Sequence, residues 1–195
     1  MLRQLRSAVL ALLVFTLLLG FAYPLVLTGV GQLLWAHQAN GSRVEQHGRL
    51  VGSLLIGQDF DGQPRYFQSR PSSSADEPDL AAASNLGPNS AHLSEQLRAR
   101  LLSYLRRERP YDPGLGAGSV PADAVTASGS GVDPDISVAN ALIQAHRVAA
   151  VRALPLGSVA RLIAANTHGS AGGLFGPPSV NVLALNLALD EDRSR

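Results

Sequence analysis

The chain has 195 residues, and its 16 basic side chains, all arginine, almost balance 15 acidic ones, giving a net charge of +1. A nearly neutral chain lacks the basic surface of a nucleic-acid-binding protein. The absence of cysteine excludes disulfide bonds, thiol catalysis and cysteine-bound metals, and the five histidines are too scattered to predict a metal site.

The N-terminal segment is the only long apolar stretch, since residues 7–36 carry no charge. A helix of about 20 apolar residues crosses the hydrocarbon core of a bilayer. Arg3 and Arg6 precede the stretch, and positive charge flanking a first span stays cytoplasmic. We therefore predict a single-pass protein of the cytoplasmic (inner) membrane. Residues 1–6 form a cytoplasmic N-terminus, 7–36 the transmembrane helix and membrane exit, and 41–195 an extracytoplasmic domain.

A cleaved signal peptide is the alternative to a retained anchor. Gly20-Phe21-Ala22 could serve as its cleavage site. The apolar run continues well past Ala22, however, whereas the apolar core of a signal peptide is normally about 7–15 residues long. We favour the anchor, and both alternatives deliver the same domain to the same compartment.

Small residues recur every four positions along the anchor, at Thr16, Gly20, Pro24 and Thr28. A row of small side chains lets two helices approach closely in lipid. This row is either a contact face for a partner helix or an incidental feature of an ordinary anchor. If it is a contact face, the chain is a subunit of a membrane complex.

The first part of the domain is predicted to contain short strands. QANGS at 38–42 is typical of a turn leaving the membrane. Residues 49–58 and 65–67 have the composition of strands. The Ser-, Pro-, Asn- and Asp-rich stretch at 69–89 indicates an irregular loop.

An amphipathic helix is predicted over residues 92–109, capped by Asn89 or Ser90 and stopped by Pro110. Its arginines lie away from the apolar stripe, which indicates a solvated basic face. The stripe consists of leucines four residues apart, at Leu93, Leu97, Leu101 and Leu105.

The C-terminal part begins with a long irregular loop at 111–135. A helix over 137–153 follows, with Ser137 as its N-cap, and then a shorter helix capped by Ser158 that ends near residue 169. We predict a flexible loop at 172–178. The apolar run VNVLALNLAL at 180–189 predicts a central strand. The fold class is therefore α+β, with one transmembrane helix followed by a single mixed domain.

The serine-rich segment TASGSG at 126–131 is a candidate site. It lacks the G-x-S-x-G of a serine nucleophile and the lysine of a P-loop, so a structured turn is favoured. Acidic residues just before a helix stabilise its N-terminus, and here they could at most steer a cation weakly. No catalytic residue is predicted. The candidate subunit-contact loop comprises Thr126, Ser128, Ser130, Asp133 and Asp135.

Eight segments, in order, resemble the C subunit of the Kdp potassium-transporting ATPase of bacteria and archaea. The sequence departs from the family pattern at Ala82-Ala83 and at Ser179. Because of the first departure, the family pattern does not define the geometry of the loop near Ala83. The segments are YPLVLTG at 23–29, QANGS at 38–42, GSLLIGQDF at 52–60, YFQSRPS at 66–72, SNLGPNS at 84–90, VPADAVTASGSGVDPDIS at 120–137, QAHRVAAVR at 144–152 and VNVLALNLAL at 180–189.

The resemblance implies a subunit that assembles with a channel-like potassium-binding subunit, a P-type ATPase subunit and a small accessory membrane peptide. Those partners would handle ATP and potassium, and this chain would bind no cofactor directly. Its expected function is non-catalytic assembly and support of an ATP-driven potassium importer.

Two alternatives stay open. One is a catalytic chaperone that raises the ATPase subunit's affinity for ATP, by allosteric contact or by direct nucleotide binding, and the resemblance links Gln144 to that role. An extracytoplasmic Gln144 could not touch cytoplasmic ATP. Its amide is then either an ordinary helix-surface group or one that serves packing or subunit contact. The other alternative is an extracytoplasmic hydrolase, suggested only by TASGSG.

Overall fold

The computed structural model describes residues 1–46, 48–74, 77, 80–169 and 176–192. The chain divides into two compact units, residues 1–51 and 52–195. Its mixed α/β content and its apolar N-terminal helix agree with the prediction from the sequence.

The N-terminal unit is dominated by one helix, Leu2–Leu34, which is long and apolar enough to cross a membrane and has no buried residue in its most apolar part. It consists of α1 (Leu2–Leu17), a π-helical turn (Leu18–Ala22) and α2 (Tyr23–Leu34). Proline has no N–H to donate to the carbonyl four residues back, so Pro24 disturbs the helical ladder. The wider turn directly before it accommodates that loss.

The long helix is followed by a break in the backbone and a short helical turn. The backbone breaks at Trp35, and the one-turn helix α3 (Ala36–Ala39) follows. The side-chain amides of Gln32 and Asn40 bond each other across the break, at 3.1 and 3.3 Å. Two short strands, β1 (Arg43–Gln46) and β2 (Arg49–Ser53), then form a two-stranded sheet. The predicted strand over 49–58 therefore ends at Ser53.

Residues 52–195 build a core from helices and a small antiparallel sheet. The helices are α4 (Ala91–Glu108), α5 (Val138–Arg152), α6 (Leu156–Ala165) and α7 (Val182–Asp192). The sheet has the order β3-β5-β4, with strands Asp135–Ser137, Ser179–Asn181 and Thr167–His168. The main cluster of buried apolar side chains includes Phe67, Ile136, Val148, Val159, Ile163, Val180, Leu185 and Leu189.

The predicted helices α4 and α5 are confirmed within one or two residues. Ser90 caps α4 by accepting a hydrogen bond from the Leu93 N–H, and Ser137 caps α5 by accepting one from the Asn140 N–H. The predicted cap of α6 is wrong. Pro155 precedes that helix, whereas Ser158 lies inside it.

The predicted central strand at 180–189 is also wrong. Only Ser179–Asn181 is strand, and the chain turns into helix α7 at Val182. A short run that is apolar all round fits a buried helix as well as a buried strand. Asn181 decides between them, because its side-chain oxygen accepts the Ala184 N–H at 3.0 Å and starts the helix.

The structure describes all of the predicted loop at 111–135 but only part of the predicted loop at 172–178. The stretch at 111–135 contains two short 3-10 turns, Ala117–Ser119 and Ala122–Ala124, and its last residue begins β3. Most of the predicted loop at 172–178 lies outside the described residues.

Candidate functional site

A polar cleft of about 320 Å³ opens between α4, α5 and the loops at 58–61 and 68–72. One face of α4 lines one side, because Arg100, Ser103, Tyr104 and Arg107 recur at helical spacing. From α5, the side chains of Asn140 and Gln144 reach the cleft.

Gln144 is 1% exposed, so the interpretation of it as a helix-surface amide is wrong. Its side-chain oxygen accepts the Gln68 backbone N–H at 2.8 Å and an N–H of Arg147 at 3.0 Å. Its NH₂ donates to the Gln68 carbonyl at 3.2 Å and to Asn140 Oδ1 at 3.0 Å. A carboxamide has two acceptor lone pairs and two N–H groups. All four are therefore used inside the domain.

Asn186 on α7 makes the same pair of backbone bonds to Phe67, the residue before Gln68. Its Oδ1 accepts the Phe67 N–H at 2.8 Å, and its Nδ2 donates to the Phe67 carbonyl at 3.0 Å. One amide side chain from α5 and one from α7 thus bond the backbone groups of two consecutive residues. This amide clamp, formed by Gln144 and Asn186 on Phe67 and Gln68, replaces the ladder of a neighbouring strand. The strand predicted at 65–67 is absent, because Arg65 and Tyr66 lie in a turn closed by a bond from the Tyr66 N–H to the Gln63 carbonyl at 3.1 Å, and Asn186 takes both backbone groups of Phe67.

A buried ion pair lies beside the clamp. Arg147 is 1% exposed and its Nε donates to both carboxylate oxygens of Glu108, at 3.1 Å each. Its Nη1 donates to the carbonyls of Pro64 and Tyr66. Burial lowers the pKa of the Arg147 guanidinium, and the adjacent Glu108 carboxylate opposes that shift. The pair therefore fixes α4 and α5 to the segment that precedes the clamp.

A hydrogen-bond chain continues from the cleft floor. The Tyr104 hydroxyl donates to Asn140 Oδ1 at 2.8 Å, and Asn140 Nδ2 donates to Asp123 at 3.0 Å. Asp123 also accepts the hydroxyl of Ser137 at 2.8 Å. Burial raises the pKa of Tyr104, and the charge of Glu108 adds to the rise. The Tyr104 hydroxyl therefore links α4 to α5 through Asn140.

Three arginines stand around the cleft. Arg70 pairs with Asp133 at 2.7 Å, and Arg107 pairs with Glu108 at 2.8 Å. Arg100 donates a long bond to the Val125 carbonyl, at 3.4 Å. This lining can recognise a polar or anionic group. No cluster of histidine and acidic side chains able to hold a metal ion occurs among the described residues.

The serines of TASGSG are occupied within the domain. Ser128 is 4% exposed, and its hydroxyl accepts the Gly131 N–H at 3.1 Å and bonds the Ser130 hydroxyl. The Thr126 hydroxyl donates to the Ala122 carbonyl. Across the described residues, neither serine hydrogen-bonds a histidine, the arrangement that a serine nucleophile needs. The segment is the structured turn that the sequence favoured.

The two aspartates of the candidate subunit-contact loop also have internal partners. Asp133 pairs with Arg70, while Asp135 accepts the Ser179 hydroxyl at 2.7 Å and Asn181 Nδ2 at 3.2 Å. None of the five residues of that loop is among those lining the cleft. In the separate anchor unit, the Thr16 methyl lies 3.9 Å from where a Cβ of Gly20 would stand.

Several site residues escaped the sequence analysis, namely Gln68, Glu108, Asn140, Arg147 and Asn186. One signal could have found some of them: a single amide inside an apolar run, as in VLALNLAL, costs free energy if buried without partners. Such a residue is therefore expected to bond a backbone group that no helix or strand satisfies.

Comparison with known proteins identifies the family. The family described as KdpC, K⁺-transporting ATPase, c chain, matches residues 5–191. The potassium-transporting ATPase KdpC subunit of Sorangium cellulosum is 50% identical over 99% of this chain and 100% of its own length. The subunits of that name from Burkholderia vietnamiensis and Mycobacterium tuberculosis are 50% and 48% identical, covering 95% and 96% of this chain and 94% and 98% of their own. The chain therefore belongs to the KdpC family and is a subunit of a potassium-transporting ATPase complex.

Proposed function

We propose that this chain is a non-catalytic subunit that assembles and stabilises the complex, holding a channel-like potassium-binding subunit and a P-type ATPase subunit together with a small accessory membrane peptide. The observation that carries the proposal is the use of the polar interior. The buried amides of Gln144 and Asn186 and the buried Glu108–Arg147 pair bond the domain's own backbone and each other. Groups committed in this way maintain a shape for contact and are not free for chemistry.

The anchor supports the same function. The helix Leu2–Leu34 is exposed throughout its apolar part, so it has its whole circumference for lipid and for partner helices. Arginines at positions 3 and 6 favour a cytoplasmic N-terminus. The domain after the helix then lies outside the cytoplasmic membrane, where it contacts the extracytoplasmic surfaces of its partners.

The assembly role is tested by expressing the partner subunits with the full chain, with residues 1–51 alone, or without this chain. Complexes are extracted in detergent, and retained subunits and potassium-dependent ATP hydrolysis are measured. We expect the full chain to keep the partners together and the anchor alone to do so less well. Partners that stay assembled and active without this chain would contradict the proposal.

The orientation is tested separately in cells. A protease site introduced at exposed Gly118, in the 111–135 loop, should be cut by protease added outside spheroplasts. The same site placed before Arg3 should be protected until the membrane is opened. The reverse pattern would place the domain in the cytoplasm and reopen a direct role in ATP binding.

A second candidate function is nucleotide binding, which the cleft favours because Gln144 and three arginines line it. Against it, all four hydrogen-bonding positions of Gln144 are used within the domain. A nucleotide would have to displace backbone bonds of Gln68 to reach that amide. We therefore expect any influence of Gln144 on ATP affinity to act through the shape of the domain.

Calorimetry with ATP separates the two candidates. The full chain in detergent and its Gln144→Ala variant are titrated, and the assembled complexes are assayed for their ATP dependence. We expect no saturable binding to either isolated chain and a changed ATP response in the variant complex. Micromolar binding to the unaltered chain that disappears in the variant would instead establish direct nucleotide recognition.

A further inference from the structure

The outer side of α4 carries a ridge that the domain itself does not use. Arg98, Leu102 and Arg106 are spaced four residues apart, so they follow one another along one side of the helix. All three are exposed, Leu102 by 60%. Ala99 beside them is exposed and small, which leaves the ridge open to contact.

Neither end of the ridge is neutralised. Within the part of the chain that the structure describes, the guanidinium groups of Arg98 and Arg106 form no ion pair. Positive charge in the last turn of a helix is favoured by the helix dipole, which accounts for Arg106. Arg98 lies more than two turns before that end and gains nothing from the dipole. Its charge is therefore available to a partner.

We propose that the ridge Arg98–Leu102–Arg106 docks a segment of a partner subunit that presents two carboxylates on either side of an apolar side chain, an inference that rests on the proposed assembly function. The spacing defines the partner. Eight residues of helix separate the arginines by about 12 Å. A strand matches this with acidic residues four apart, about 13 Å, and an apolar residue midway between them.

The composition of the ridge suits a protein interface. Arginine is enriched in the energetically important centres of such interfaces, where a buried apolar contact is surrounded by polar groups. Membrane lipid is a poorer occupant, because surface-bound helices need a broad apolar face. The apolar face of α4 is already packed inside the domain, with Leu101 and Leu105 in a cluster that includes Leu115 and Ala124.

The absence of cysteine from the chain makes a direct test possible. Leu102→Cys is labelled with a bulky maleimide in the assembled complex and in the chain alone, and Arg161→Cys, at an exposed position of α6, is the matched control. We expect labelling of Leu102→Cys to slow by about tenfold or more on assembly, because the centre of an interface excludes solvent. The control should react at a similar rate in both states.

The second arm reverses the charges. Arg98→Glu combined with Arg106→Glu should lower the affinity for the complex by about tenfold and weaken its salt dependence, whereas Arg161→Glu should not. Circular dichroism of each full-length chain checks that it is folded. Equal labelling of Leu102→Cys in both states would overturn the proposal. So would protection of the lone chain by vesicles containing anionic phospholipid, since lipid would then be the occupant. If the complex needs this chain but its ridge stays reactive, the ridge is refuted and the assembly function stands.

Discussion

Replacing Gln144 with alanine tests the amide clamp at the level of single backbone groups. The variant removes the acceptor of the buried Gln68 N–H and the donor to the Gln68 carbonyl. It leaves Asn186 and both of its bonds to Phe67 in place. The two residues are consecutive, so the prediction is local: one amide proton should lose protection and its neighbour should keep most of its own.

The magnitude follows from the cost of an orphaned group. A buried N–H without a partner costs about 1–3 kcal/mol. Because each 1.4 kcal/mol is tenfold in an equilibrium constant, hydrogen exchange at Gln68 should accelerate about fivefold to 150-fold. The Glu108–Arg147 pair remains, so the helices α4 and α5 should keep their protection.

Hydrogen exchange of the full chain in detergent, resolved to single residues, measures this directly. The matched control is Asn186→Ala, which should accelerate exchange at Phe67 more than at Gln68. If Gln144→Ala left the Gln68 amide as protected as before, the clamp would not be what holds this segment. If both variants accelerated both amides equally, the two side chains would not act on separate residues, and the local argument would be refuted.

Three further predictions concern other parts of the chain. Gly131 has φ +78°, and a Cβ there would stand 2.5 Å from a backbone oxygen, so Gly131→Ala should lower the free energy of unfolding by about 2 kcal/mol or more. The control Gly118→Ala has open space around it and should change that free energy little. Chemical denaturation of the two variants measures the difference. Burial raises the pKa of Tyr104 above its ordinary value of 10.0, so the unfolded chain releases the hydroxyl proton at a lower pH than the folded chain does. The stability of the fold should therefore decrease as the pH rises above that value. Tyr104→Phe should reduce this decrease in alkaline denaturation curves, and an unchanged slope would contradict the raised pKa of Tyr104. In the anchor, Gly20→Leu should weaken assembly more than Leu17→Ala does, measured by subunit retention in detergent, and equal retention would mean that the small-residue row is incidental.

Features that depend on local composition were predictable from the amino-acid sequence. An uncharged run of 30 residues is enough to predict the spanning helix, because hydrophobic length is a property of the segment alone. Helices α4 and α5 were predictable for a similar reason: a capping serine and apolar residues at helical spacing lie within each segment. The family resemblance likewise rested on the order of short motifs, and the comparisons confirmed it.

Tertiary structure decided what depends on distant partners. The run at 180–189 is apolar all round, so its periodicity could not distinguish strand from helix, and Asn181 settled the matter through a cap and a sheet position. The predicted strand at 65–67 is absent because the Tyr66 N–H bonds the nearby Gln63 carbonyl. Asn186, 119 residues from Phe67 along the chain, supplies the backbone partners of Phe67. A polar residue in a helical pattern does not reveal its own partner. Whether Gln144 lay on a surface or inside a core became determined only when three remote segments were packed together, since burial is a property of the assembled fold.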